Sequence, residues 1–265
     1  MGRLKIIVLI KQVPNTNDVK IDPVTGTMIR DGIESIINPD DKFAIEAALR
    51  LKDTNPKVHI TVMTMGLPQA EVVLRESLAM GCDRAILITD RAAGGSDTWA
   101  TSLVLSSAVR KIGKYDLILA GRQAIDGDTA QVGPQTAEKL GIPQVTYVSK
   151  LEVKGDYVSV HRDLEDGYQI IEVKMPCLLT AVNGLGKPRY PKFTGIFAAY
   201  EADIKQWSMK DIGLAKSTGV GLKGSPTKVF RSFSPKIERA GVVFPDAGRE
   251  SISQLVDCLR DRNLV

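Results

Sequence analysis

The stretch 117-LILAGRQAIDGDTAQVGPQTAEKL-140 decides the fold. Leu117 to Ala120 is an uninterrupted aliphatic run, the pattern of a short strand covered on both faces. Gly121 to Pro134 is a polar, glycine-bearing loop, and Thr136 to Leu140 reads as the body of a helix. A buried strand feeding a helix through such a loop is the unit of a doubly wound parallel sheet. The same kind of run recurs at Leu4–Ile10, Val58–Met65, Ala85–Thr89 and Leu178–Val182. Helical spacing fills the intervals: Phe43, Ala44, Ala47, Ala48 and Leu51; Val72, Val73 and Leu78; Leu103, Val104 and Ile112. The fold class expected is α/β, a doubly wound, mainly parallel, Rossmann-like sheet.

Two stretches break this rhythm. Val19–Ile29 carries Asp22-Pro23-Val24-Thr25-Gly26 between short apolar flanks and predicts a small excursion hairpin. Leu151–Val173 alternates around Gly155-Asp156 and Asp166-Gly167, which predicts antiparallel strands at the sheet edge. After about Tyr200 the period fades, and Ile212–Gly248 is rich in Gly, Ser, Pro and Lys. Residues 1–205 are therefore expected to form the α/β domain, and residues 206–265 a long C-terminal arm. A short helix, Ser251–Leu259, is expected at its end. Val229, Phe230, Phe233, Val242, Val243 and Phe244 are costly to leave in water, so the arm is expected to lie on a partner.

With 265 residues and 43% hydrophobic side chains the chain can fill one large core. A formal charge of +4, aromatics at 5% and no basic block interleaved with aromatics argue against a nucleic-acid partner. Cys82, Cys177 and Cys258 are odd in number and widely spaced, which fits a reducing compartment and neither disulfides nor structural zinc. The run Ile6–Ile10 stops at Lys11, too short for a signal peptide or a membrane span, so the expected location is cytoplasmic, without membrane insertion.

Much chemistry is absent from the pattern. There is no G-x-S-x-G elbow, no H-E-x-x-H and no P-loop; Gly184-Leu185-Gly186-Lys187-Pro188 has proline where a hydroxyl residue belongs and reads as a surface turn. His59 and His161 sit in or beside strands, and Gly94-Gly95-Ser96-Asp97 reads as a helix cap. No catalytic side chain and no metal ligand set is expected.

What remains is a segment that reads either as a plain strand-to-helix loop or as a nucleotide site. Gly121, Arg122, Gln123, Ala124, Ile125, Asp126, Gly127, Asp128, Thr129, Ala130, Gln131, Val132, Gly133 and Pro134 lie at the carboxyl edge of the sheet, where a helix start offers free N–H groups to phosphate. Gly121, Gly127 and Gly133 are read as allowing close backbone approach, Thr129 and Gln131 as extra donors. Asp126 and Asp128 are expected to turn back onto loop N–H groups. Asn38, Pro39, Asp40 and Asp41, ahead of the helix Phe43–Lys52, and the strand ends at Leu9 and Met65 are expected to converge on the same pocket.

At these residues the chain resembles the β subunit of electron-transfer flavoproteins, over nearly its whole length. The likeness runs through Lys11, Thr25-Gly26, Asn38-Pro39 and Ala44–Lys52, then 160-VHRDLEDGYQII-171 and 176-PCLLT-180, the family's signature region. It implies an adenine nucleotide in the pocket just described and an α subunit carrying an electron-transferring FAD. Respiratory members hold AMP there, whereas electron-bifurcating members hold a second FAD. Pro143–Val148, Gly127 and Thr129 are similar to the bifurcating branch of anaerobic bacteria. That branch implies NADH as substrate, ferredoxin or flavodoxin as one acceptor and an acyl-CoA dehydrogenase as the other. The segment Gly186–Phe197 corresponds to the family's recognition loop, so Arg189, Tyr190, Lys192, Phe193, Ile196 and Phe197 are implied partner contacts, with Phe193 the anchor. Respiratory relatives continue with a lysine run where this chain has 198-AAYEA-202, which implies a different partner choice. A respiratory-type subunit with AMP and a stand-alone adenine nucleotide binding module are the rival readings.

Overall fold

The computed structural model describes residues 3–15, 34–230 and 241–265. The chain opens with β1 (Lys5–Leu9), followed by β2 (Gln12–Pro14) and β3 (Ser35–Ile37), which pair antiparallel as a separate ribbon. The hairpin expected over Val19–Ile29 lies outside the described residues. Then come α1 (Pro39–Thr54), β4 (His59–Met65), α2 (Glu71–Met80), β5 (Arg84–Ile88), α3 (Thr98–Ile112), β6 (Leu117–Gly121) and α4 (Val132–Leu140). The antiparallel part is β7 (Gln144–Lys154), β8 (Tyr157–Asp163) and β9 (Tyr168–Lys174), after which β10 (Cys177–Ala181) returns to the middle. The sequence ends with α5 (Phe193–Glu201), β11 (Lys205–Trp207), a single turn α6 (Gly221–Gly224) and α7 (Arg249–Asp261).

Nine strands form one sheet in the order β11-β5-β4-β1-β6-β10-β7-β8-β9. All pairs from β11 to β7 are parallel, and β8 and β9 extend the edge antiparallel. Alternate strand residues face opposite cores because side chains in a strand alternate sides. Ile6 and Val8 pack with Ala44, Ile45, Ala48 and Leu74 of α1 and α2, whereas Ile7 and Leu9 pack with Val104, Ala108 and Ala137 of α3 and α4. Burial on both faces explains why β1 reads as a continuous aliphatic run, each such side chain contributing roughly 1.5–3 kcal/mol. Cys82 and Cys177 are buried there with thiols pushed up to about 12 by desolvation; Cys258 is exposed on α7.

The compact unit does not stop at residue 205: it runs to Phe230. β11 pairs with β5 from Lys205↔Ile86 to Trp207↔Ile88, and Met209, Ile212 and Val220 are buried in the second core. These side chains have no regular spacing, so a periodicity argument passes over them although they fill real space beside α3. The remaining unit, Arg231–Val265, contains α7, whose start is held by Asp246 Oδ1 accepting from the Gly248 N–H at 2.7 Å and from Ser251 Oγ at 2.9 Å. Val229, Phe230, Val242 and Val243 are exposed; Phe233 lies outside the described residues. No helix among the described residues is long and apolar enough to cross a membrane.

Candidate functional site

From β1 the chain winds one way to β4 and β5, then crosses back to β6 on the other side of β1, so the winding reverses at β1. Ligands of open α/β sheets bind at the carboxyl ends of strands at such a reversal. A cleft of about 1060 Å³ opens there, lined by the ends of four strands: Leu9 and Ile10, Met65 and Gly66, Thr89 and Asp90, Ala120 and Gly121. It slightly exceeds the roughly 300–1000 Å³ usual for small-ligand sites.

The loop after β6 forms one wall, and a fully buried Asn38 holds it. Its Nδ2 donates to the Gln123 carbonyl at 2.7 Å, and its Oδ1 accepts from the Ile125 N–H at 3.1 Å. Asp41 secures the floor, accepting from the Lys11 N–H at 2.7 Å and the Gly121 N–H at 3.0 Å. Burial pushes its carboxyl up to about 7, partly offset by those N–H donors. Arg122 lies 3.3 Å from Asp40 and 5.8 Å from the Tyr147 ring centroid; desolvation still raises the Asp40 pKa despite the adjacent guanidinium. Asp128 and Ala130 carry φ of 51° and 53°, a left-handed backbone that non-glycine residues adopt at a cost and that clusters at functional sites.

The aspartates of this loop do not bind loop N–H groups as expected. Asp126 pairs with Lys11 Nζ at 2.6 Å, and Asp128 accepts from the Gln123 side-chain amide. A long lysine and a side-chain amide take the place of the loop N–H groups as their partners. Two of the three glycines also serve another purpose than expected. A Cβ on Gly121 would collide with Asp41, and one on Gly133 would come within 2.8 Å of Thr180 Cγ2, so these positions let helices close on strands. Gly127 alone of the three faces open space, with nothing within 4 Å of an added Cβ.

Leu9, Asp41, Met65, Gly121, Arg122, Gln123, Ala124, Gly127, Asp128, Thr129, Ala130, Gln131, Val132 and Gly133 line the cleft. Asn38, Pro39, Asp40, Ile125, Asp126 and Pro134 do not; Asn38, Asp40 and Asp126 brace the wall from behind.

The opposite wall is one the sequence reading passed over: Thr89 to Arg91, Ala93 to Thr98, and Thr101 of α3. Asp97 does cap α3, its Oδ1 accepting from the Ala100 N–H at 3.0 Å, so the segment 94–97 is both cap and wall. Its position just past a buried strand was the available signal. Asp90 and Asp97 spend their oxygens on protein N–H groups, the first on Ala92 and Met209, the second on Ala100 and Thr227, which keeps both carboxyls below the usual range. The walls meet where Thr98 Oγ1 donates to Gln131 Oε1 at 2.9 Å. The starts of α3 and α4 thus both open on the cleft, and no side chain caps α4. Free N–H groups at a helix start and Arg122 suit a phosphate or pyrophosphate. No cluster of metal-ligating side chains occurs among the described residues.

A second feature lies on α5. Phe193, Ile196, Phe197 and Tyr200 stand at i, i+3, i+4 and i+7, the spacing that normally turns a stripe inward, yet they are 76, 52, 61 and 81% exposed. Phe193 thus begins a helix rather than sitting in a loop. Tyr190 is exposed as expected, but Arg189 is engaged within the fold. It grips Glu46 at 2.9 Å and Asp53 at 2.6 Å, and bonds from Arg189 and Arg50 hold the buried Glu46 carboxyl low against the upward pull of desolvation. The Gly184–Pro188 turn leans on α1, where a Cβ on Gly186 would strike the Arg50 guanidinium.

A model of the electron transfer flavoprotein domain family matches residues 25–212. The chain is 55% identical to an electron transfer flavoprotein subunit beta of Thermoanaerobacterium thermosaccharolyticum over 265 residues, covering 99% of this chain and all of that protein. It is 53% identical over 263 residues to the caffeyl-CoA reductase-Etf complex subunit CarD of Acetobacterium woodii, again across 99% of this chain and all of the other. With the acryloyl-CoA reductase electron transfer subunit gamma of Anaerotignum propionicum it shares 47% over 269 residues, at the same coverage.

Proposed function

The chain belongs to the electron transfer flavoprotein family and matches β subunits along their whole length, and from that premise we propose that it binds FAD in the cleft and takes part in NADH-dependent electron bifurcation with an α subunit. The observation that carries this reading is the size and make-up of the cleft. It extends from the start of α4 to the 89–98 wall, more than a mononucleotide needs, and it offers helix-start N–H groups and Arg122 to a pyrophosphate. Gly127 leaves room for close approach. FAD, when bound, supplies acceptance of a hydride and release of single electrons; the protein's share is to hold and orient it and to exclude water. No side chain has to act as acid or base.

The proposed partners follow the same line. The outward stripe on α5 is the docking ridge for an acyl-CoA dehydrogenase, and relatives named after caffeyl-CoA and acryloyl-CoA reductases agree with such a partner. Ferredoxin or flavodoxin is the proposed low-potential acceptor. The unit 231–265 and the exposed apolar residues before it are proposed to lie on the α subunit. The test is a cofactor count on the purified heterodimer. Two FAD per heterodimer are expected; one FAD with one AMP would replace this reading by the respiratory type.

A further inference from the structure

α5 should not be stable by itself. Nine residues are fewer than an isolated helix needs, and Gly195 within it is a weaker helix former than alanine. Its large side chains are mostly exposed and hold it only weakly, through the edge-on contact of Phe193 with Phe197 at 5.0 Å between ring centroids; only Ala199 is buried. Its inner face is Gly195 and Ala199, set against α2 so closely that a Cβ on Gly195 would run into the Ala79 carbonyl oxygen.

The helix also ends without a glycine cap: Ala202 is extended and its N–H makes no cap bond. Arg75 of α2 takes that place. Its Nη1 donates to the carbonyls of Ala199 at 2.6 Å and Tyr200 at 2.8 Å, and reaches that of Ala202 at 3.5 Å. The same guanidinium is fixed on its own helix, with Nε and Nη2 donating to Glu71 Oε1 at 2.9 and 2.6 Å. Cations close to the last carbonyls of a helix satisfy orphan acceptors and oppose its dipole. A lysine has no rigid fork to hold a carboxylate and two carbonyls together.

We propose that Arg75 is a positioning residue which, by closing the last turn of α5, keeps the stripe Phe193, Ile196, Phe197 and Tyr200 preformed for docking. This rests on the reading of α5 as the dehydrogenase ridge. A preformed ridge spares the cost of ordering it on each encounter, so Arg75 acts on partner affinity without touching the partner.

The test uses the heterodimer carrying Arg75→Ala, Arg75→Lys, Phe193→Ala or the Ala/Ala double change. Amide exchange across 196–201, apparent KM and kcat for the dehydrogenase, nucleotide content and Tm are measured. Arg75→Ala is expected to speed exchange in α5 alone and to raise KM about tenfold with kcat little changed, the size of effect set by one lost charged hydrogen-bond group. Arg75→Lys should recover part of that affinity. Phe193→Ala should add less in the Arg75→Ala background than alone. Unchanged exchange in α5 overturns the proposal, as does a normal KM in Arg75→Ala when Phe193→Ala raises it. Faster exchange throughout the chain with a large fall in Tm also overturns it, by making Arg75 a general brace. A normal KM in Phe193→Ala overturns the docking reading instead, and exchange still decides whether Arg75 holds the helix.

Discussion

Asn38→Ala is the sharpest probe of how the cleft is built. The side chain is fully buried and makes two bonds, 2.7 Å to the Gln123 carbonyl and 3.1 Å from the Ile125 N–H, one on each side of Ala124. Each is worth about 1 kcal/mol net, so their loss removes about 2 kcal/mol from the closed loop and weakens nucleotide binding about 30-fold. Lys11→Ala gives the scale. The Lys11–Asp126 pair braces the same loop; water screens the lysine, which is 46% exposed, while Asp126 is only 6% exposed, so the expected effect is about 1 kcal/mol, or fivefold. The assay is the nucleotide dissociation constant of the heterodimer, with amide exchange over 121–131 as the structural readout. Equal binding in Asn38→Ala and the parent, or a larger loss in Lys11→Ala, would refute the view that a buried amide rather than surface charge holds the wall.

Three further outcomes are expected. Asp41 is held near 7 against an ordinary 3.8, so the folded state keeps a proton that the unfolded state has released. Its contribution to stability is full below about pH 4, declines as pH rises to 7 and is flat above; between pH 7 and 5 the parent should gain up to about 1.4 kcal/mol per unit relative to Asp41→Asn in urea unfolding, and a loss on acidification would sink the assignment. Gly133→Val forces α4 off Thr180, overpacking worth about 1–3 kcal/mol, and should strip nucleotide while circular dichroism stays native; full nucleotide content would count against the site. Truncation after Phe230 should leave the α/β unit folded and weaken capture of the α subunit, measured by copurification; undiminished yield would remove the arm from the interface.

The parallel sheet was legible because β1, β4, β5, β6 and β10 are buried on both faces and write themselves as unbroken aliphatic runs. The β6–α4 loop was legible because glycines and acids crowd behind such a run. The opposite wall was not, since 93-AGGSDT-98 has a sufficient local explanation as a helix start and nothing in the chain shows that it faces the other loop. Gly121 and Gly133 were read as opening toward a ligand, but what approaches them is Asp41 and Thr180, partners 80 and 47 residues away by subtraction of their numbers. Residues 206–230 escaped because Trp207, Met209, Ile212 and Val220 pack without any period. Arg189 is hidden in the same way: beside Tyr190 and Lys192 it resembles a surface cation, and only the fold brings Glu46 and Asp53 to it.

The distribution of sulfur makes the molecule a ready-made reporter. Two thiols, Cys82 and Cys177, are sealed in the core and barely ionise below about pH 12, so alkylating reagents and mild oxidants pass them by. Cys258 stands exposed on the last helix. A maleimide dye added to the native sequence therefore marks one place, on the segment proposed to clasp the α subunit. Its labelling rate, followed as the two chains are mixed, gives a clock for assembly that needs no engineered cysteine and leaves the cleft untouched.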